Sequence, residues 1–148
     1  MAESTEASIV IDAEPGVILD VIADLEAYPE WTGAITKVEV LSEDEGGWPE
    51  QVRLSMDGGG IKDTYTLVYD WDVAEDGTGT VSWTLVDATV LKAMDGSYRL
   101  TAADEGTEVA YQLAVDLKIP VFGMLKRKAA RVIIDTALAE LKKRVESR

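Results

Sequence analysis

Apolar and polar positions along this chain change period three times. The changes divide it into a short strand, a helical stretch, a long run of strands and a final helix. Ala7 to Ile11 is a β-prone run broken by Asp12, Ala13, Glu14 and Pro15. From Pro15 to Leu25, the residues Val17, Ile18, Val21, Ile22 and Leu25 recur at helical spacing and predict an amphipathic helix. Proline suits the first position of that helix, because the N–H it lacks would have no partner there. Tyr28-Pro29-Glu30-Trp31-Thr32-Gly33 then predicts a short second helix, opened by Pro29 and stopped by Gly33.

From Ile35 the period becomes two. Val38 and Val40 alternate with charged residues before the acidic turn Glu43 to Gly47, and Val52, Leu54 and Met56 alternate with Arg53, Ser55 and Asp57. Gly58-Gly59-Gly60 reads as a tight reversal, Asp76-Gly77 as a hairpin turn and Glu105-Gly106 as another. Between them one face of each strand carries Tyr65, Leu67, Tyr69 and Trp71, then Val81, Trp83 and Leu85. The last two strands present Met94, Gly96, Tyr98 and Leu100, then Val109, Tyr111, Leu113 and Val115. Six consecutive strands with short turns make an antiparallel meander with one apolar face. Ile119-Pro120 ends it. Val121 to about Val145 then predicts a single helix of roughly 25 residues, with Leu125, Ala129, Val132, Ile133, Thr136, Ala137, Leu141 and Val145 as its apolar stripe. An apolar sheet face has to be covered, and only this helix is long enough to do it.

A chain of 148 residues fits one domain, residues 1–148, with a core that needs no disulfide. There is no Cys and no His. Those two absences remove the usual base near neutral pH, the Ser-His and Cys-His nucleophile pairs, and the ordinary zinc ligands. No catalytic residue, metal or cofactor is therefore expected. The N-terminal stretch has no basic segment followed by an apolar run, and no apolar stretch approaches the roughly 20 residues that span a bilayer. The expectation is a cytoplasmic protein. The net charge of −14 argues against binding nucleic acid. The charge is uneven, however: residues 121–148 hold eight basic and three acidic side chains, while the 120 before them hold six basic and twenty-five acidic. Lys126, Arg127, Lys128 and Arg131 could thus meet an anionic partner or membrane headgroups, or simply complement the acidic body.

Several local sequences mark a resemblance. They are Ala13-Glu14-Pro15 with Val17 and Val21, then Asp24-Leu25-Glu26-Ala27-Tyr28-Pro29-Glu30-Trp31. Further on come Gly96-Ser97-Tyr98-Arg99-Leu100, Gly106-Thr107-Glu108-Val109-Ala110-Tyr111 and the helix opening at Ile119-Pro120. With the order of elements, these make the chain similar to the helix-grip superfamily of START-related (SRPBCC) and Bet v 1-like domains. The nearest group is the bacterial polyketide cyclase/dehydrase and lipid-transport proteins, including coenzyme-Q-binding relatives. The resemblance implies an α+β helix-grip fold: a curved antiparallel sheet of about seven strands wrapped around a long C-terminal helix, with two short helices after strand 1. Members serve as lipid carriers, quinone chaperones, aromatase/cyclases, stress proteins or ribosome-associated toxins, so the site has to be argued separately.

That site is expected between the first turns of the terminal helix and the aromatic faces of the middle strands. Its candidate ligand-binding residues are Met56, Tyr65, Tyr69, Trp71, Trp83, Tyr98 and Tyr111 from the sheet. Trp31 from the second short helix joins them as lid or staple, with Val121, Met124, Leu125 and Lys128 from the helix start. Tyrosine and tryptophan bring donors that need partners, which suits a pocket wall better than a plain core. Acid–base work by a carboxylate would need one facing inward, whereas Asp95, Glu108 and Asp116 alternate outward. Asp70, Asp72, Glu75 and Asp76 read as solvated hairpin acids, since their spacing lacks a calcium loop. The leading expectation is binding or carriage of a hydrophobic small molecule: a lipid, an isoprenoid quinone or a polyketide-like aromatic. Two rivals stand beside it, an aromatase/cyclase or dehydratase using tyrosine hydroxyls, and a partner-binding module using the basic helix. The protein would act as a monomer or a homodimer, with peripheral membrane contact left open.

Overall fold

The computed structural model describes residues 4–58, 61–118 and 123–147. Strand β1 (Ser4–Ile11) is followed by helix α1 (Pro15–Ala23) and a 3₁₀ helix (Leu25–Glu30). The meander comes next: β2 (Ile35–Glu43), β3 (Pro49–Gly58), β4 (Ile61–Val73), β5 (Gly79–Ala88), β6 (Leu91–Ala102) and β7 (Thr107–Leu117). Helix α2 (Gly123–Glu146) closes the sequence of elements. The sheet runs β1-β7-β6-β5-β4-β3-β2 with every neighbouring pair antiparallel. This is the α+β, helix-gripping architecture that the order of elements predicts.

The period-two reading holds strand by strand. Val52, Leu54 and Met56, then Tyr65, Leu67 and Tyr69, then Val81 and Trp83 all turn inward and are buried. So do Met94, Tyr98 and Leu100, and Val109, Tyr111, Leu113 and Val115. Strand β1 starts at Ser4, earlier than expected, because Ser4, Thr5 and Glu6 pair with Ala114, Leu113 and Gln112. Such polar residues carry no hydrophobic signal, and the pairing comes from β7. The second short helix is 3₁₀, with Pro29 inside it rather than at its start.

The apolar stripe of α2 keeps Leu141 and Val145 as predicted, and is shifted by one residue over the turns before them. The residues sealed against the sheet are Ala130, Ile134, Leu138, Leu141 and Val145. Val132 and Thr136, assigned to the stripe from spacing, are exposed, and Ala129, Ile133 and Ala137 are half-buried. Two apolar stripes run side by side here, about 100° apart for a one-residue step. Spacing alone could not say which of them is sealed.

Two basic side chains of α2, Arg131 and Lys142, lie along the open edge of β1. Arg131 donates to the Glu6 carbonyl at 3.2 Å and Lys142 to the Val10 carbonyl at 2.8 Å, while Glu146 accepts from the Asp12 N–H at 3.0 Å. Edge strands expose unpaired backbone groups, and side chains of α2 satisfy two of them, the Glu6 and Val10 carbonyls, and one more just past the strand's end. Arg131 also pairs with Asp135 at 3.2 Å. Part of the basic bias is thus spent within the fold.

Asp63 stands out on the inner face of β4, because it is a buried carboxylate at 7% exposure. Its oxygens accept four backbone N–H bonds, from Thr64 (2.8 Å), Thr89 (3.1 Å), Val90 (2.9 Å) and Leu91 (2.8 Å). Buried charge is tolerated only when it is bonded in this way. Asp63 fixes the β5–β6 connection, which forms one end of the cavity sheet.

Candidate functional site

The gap that α2 leaves above the sheet is a cavity of about 340 Å³, at the compact end of the roughly 300–1,000 Å³ usual for small-molecule sites. Its floor is the inner face of β3–β7: Leu54, Met56, Tyr65, Leu67, Tyr69, Trp83, Met94, Tyr98 and Tyr111. All nine are buried. One wall is the second stripe of α2, namely Val132, Ile133, Thr136, Ala137 and Glu140. The other wall is the 3₁₀ helix and the turn after it, with Tyr28, Trp31, Thr32, Gly33, Ala34 and Ile35. Gly33, Asp57, Val132 and Thr136 border the cavity and are exposed to solvent, so they mark the mouth.

Trp83 is the centre of the aromatic floor. Its ring lies 5.6 Å from Tyr69, 5.5 Å from Tyr98 and 5.7 Å from Tyr111, and the last two rings are 4.5 Å apart. Gly96 on β6 permits this arrangement. A Cβ there would fall 2.4 Å from Trp83 Cζ2, well inside van der Waals contact. The missing side chain lets the indole lie down on the strand instead of standing up into the cavity.

The 3₁₀ wall is held by a carboxylate. Glu140 accepts from the Thr32 hydroxyl at 2.9 Å and from the Gly33 N–H at 3.2 Å. Tyr28 packs edge-on against Trp31 at 5.0 Å and donates its hydroxyl to the Ile22 carbonyl at 2.5 Å. Sequence reasoning missed Tyr28, Thr32, Asp57 and Glu140. Tyr28 carried a usable signal, its helical spacing from Trp31. Glu140 carried none, because its partner Thr32 lies 108 residues away.

Of the residues anticipated from sequence, Trp31, Met56, Tyr65, Tyr69, Trp83, Tyr98 and Tyr111 come together around the cavity. Trp71 does not. It follows the alternation of β4 but sits past the cavity's end, its indole N–H donating to the Pro49 carbonyl at 2.6 Å and its ring stacked between Trp48 (5.0 Å) and Tyr69 (5.6 Å). Lys128 is exposed and does not border the cavity. Among the described residues the wall that α2 contributes runs from Val132 to Glu140, and the residues that seal the helix onto the sheet set its rotation. Val121 and the side chains of Met124 and Leu125 lie outside the described residues, as do Gly59 and Gly60 of the expected reversal.

Burial pushes the phenols of Tyr28, Tyr69 and Tyr98 well above their ordinary value of 10.0, and the neighbouring tyrosines add to the effect. Tyr65 and Tyr111 move the same way, also chiefly through burial. These are all five tyrosines of the chain. A raised folded-state pKa means that the unfolded chain ionises first. Stability is therefore full below pH 10.0 and falls as the pH rises through and beyond it, by up to about 1.4 kcal/mol per pH unit for each tyrosine. Tyrosinate absorbance should stay absent in the folded protein and appear in one step together with loss of circular dichroism. Tyrosinate appearing near pH 10 in a protein still folded would contradict this burial.

Comparison with known proteins agrees with the geometry. Residues 2–146 match the family described as polyketide cyclase / dehydrase and lipid transport. The chain belongs to that family. Among solved structures it is similar to a START superfamily protein from Mycobacterium smegmatis, with a TM-score of 0.88, 22% identity and 97% of each chain covered. It is also similar to the ZhuI aromatase/cyclase from Streptomyces sp. R1128, with a TM-score of 0.80, 19% identity and coverage of 100% of this chain and 96% of that one. A third match is Ara h 8.0201, with a TM-score of 0.73, 14% identity and both chains covered completely. At these identities the structural likeness establishes the helix-grip fold, and fold does not choose among the functions it hosts. Within the described residues, no helix is long and apolar enough to cross a membrane, and no group of three or more His, Cys, Asp or Glu could hold a metal ion.

Proposed function

We propose that this family member binds a hydrophobic small molecule in the cavity between α2 and the aromatic floor, and holds it rather than transforming it. The observation that carries this reading is the lining itself: nine buried apolar or aromatic side chains beneath an open mouth. An enclosed apolar surface with a few polar groups is the usual form of a small-molecule site. Two methionines in it, Met56 and Met94, adapt readily to different ligand shapes.

A cyclase or dehydratase is the second reading, because several structural relatives are named as aromatase/cyclases. That chemistry needs a base at the reacting carbon. The carboxylates bordering the cavity among the described residues are Asp57, exposed at the mouth, and Glu140, tied to Thr32 and Gly33. The floor offers only phenols that burial keeps protonated, which can donate a hydrogen bond and cannot accept a proton. Holding a ligand needs nothing beyond what is present.

Titration with N-phenylnaphthylamine, an uncharged fluorophore that brightens in apolar surroundings, tests the binding reading. One saturable site per chain is expected. A linear, unsaturable response would sink the proposal.

A further inference from the structure

We propose that the cavity selects uncharged ligands carrying a hydrogen-bonding oxygen at their inner end, and rejects carboxylates such as free fatty acids. The inference rests on the binding reading above and concerns which ligands that site takes.

The first observation is a set of hydroxyls without partners. Tyr65, Tyr69, Tyr98 and Tyr111 are each at least nine-tenths buried, at 4%, 9%, 7% and 7% exposure. Among the described residues, none of their hydroxyls has a hydrogen-bond partner, and none is sealed from the cavity. Tyr28 is the instructive contrast, since its hydroxyl finds the Ile22 carbonyl. A pure hydrocarbon filling the cavity would leave the other four hydroxyls dry, at roughly 1–3 kcal/mol each. A carbonyl or hydroxyl oxygen at the inner end of the ligand would satisfy some of them.

The second observation is charge. Among the described residues that border the cavity there is no Lys or Arg, and the chain has no His. The charged groups present are Asp57 and Glu140, on either side of the Thr32–Ala34 turn, where Asp57 N–H donates to Ala34 and Glu140 accepts from Thr32 and Gly33. A ligand carboxylate would enter past negative groups and then find no counter-charge among the described residues. Burying an unpaired ion is among the costliest events in a protein. The raised phenol values point the same way, because the floor stays a set of neutral donors through the physiological range.

The test uses the full chain with N-phenylnaphthylamine bound as reporter, displaced by three naphthalenes of similar shape. Acetylnaphthol is neutral with two oxygens, hydroxynaphthoate is its carboxylate counterpart, and ethylnaphthalene has no oxygen. Acetylnaphthol is expected to displace the reporter at about tenfold lower concentration than ethylnaphthalene, the equivalent of one hydrogen bond, and at least tenfold lower than hydroxynaphthoate, whose unpaired charge costs more. Tyr98→Phe together with Tyr111→Phe should erase its advantage over ethylnaphthalene, and Asp57→Asn should narrow the gap to hydroxynaphthoate. If the double variant fails to fold, Tyr65→Phe in its place should reduce the same advantage. Equal displacement by hydroxynaphthoate or by ethylnaphthalene overturns the inference while leaving binding intact. A reporter that does not bind overturns the binding reading itself.

Discussion

Gly96→Ala is expected to weaken N-phenylnaphthylamine binding at least tenfold, roughly 1.4 kcal/mol. The new methyl would start 2.4 Å from Trp83 Cζ2 and 2.7 Å from Nε1, so the indole has to move. Tyr98 and Tyr111 stand on its β6–β7 side, at 5.5 Å and 5.7 Å between ring centres. The free direction is upward, into the cavity. Overpacking of this kind also costs about 1–3 kcal/mol of stability, which a thermal melt will report alongside the titration. Gly16→Ala provides the control. Its Cβ would meet nothing closer than the Asp76 carbonyl at 3.6 Å, and it lies in α1, where alanine is favoured by up to about 1 kcal/mol. Unchanged binding in Gly96→Ala would mean that Trp83 does not border the bound molecule.

The second large effect concerns stability. Asp63→Ala is expected to cost about 3–5 kcal/mol, a drop of roughly 10 °C or more in Tm for a chain of this size. The mechanism is the loss of an acceptor that four backbone N–H groups share, the one from Leu91 in a buried position. Asp63→Asn should fall between wild type and alanine. It restores one oxygen, but it sets an amide N–H₂ against two of the donors. A thermal melt of both variants checks the order, and a fall of less than 1 kcal/mol for alanine would show that water replaces the carboxylate without cost.

The fold was legible because strands β3–β7 each keep a clean alternation over several residues, and the turns between them carry Asp-Gly and Glu-Gly pairs. Gly77 and Gly106 do adopt positive φ, at 93° and 96°. Most of the cavity floor was legible for the same reason: Tyr65, Tyr69, Trp83, Tyr98 and Tyr111 share the inward parity of their strands. Trp71 shows the limit of that reasoning. Parity places a side chain on a face, but not at a distance along it, and Trp71 lies past the cavity's end against Trp48. The described part of the α2 wall, Val132 to Glu140, was not anticipated, for a different reason. A helix apolar on two adjacent stripes buries one against the sheet and turns the other to the cavity, and only packing decides which. Asp63 and Glu140 were invisible because their partners are backbone groups and a hydroxyl from distant segments. A carboxylate bonded to Thr89, Val90 and Leu91 reads in the sequence like any other charged strand residue.

The location of the ligand is best tested through the two methionines on the cavity floor. With methyl-labelled methionine in the full chain, nuclear Overhauser contacts from bound N-phenylnaphthylamine should reach the Met56 and Met94 methyl groups, both buried and both on the cavity wall. Saturable binding without a contact to either methyl group would place the ligand elsewhere and contradict the account.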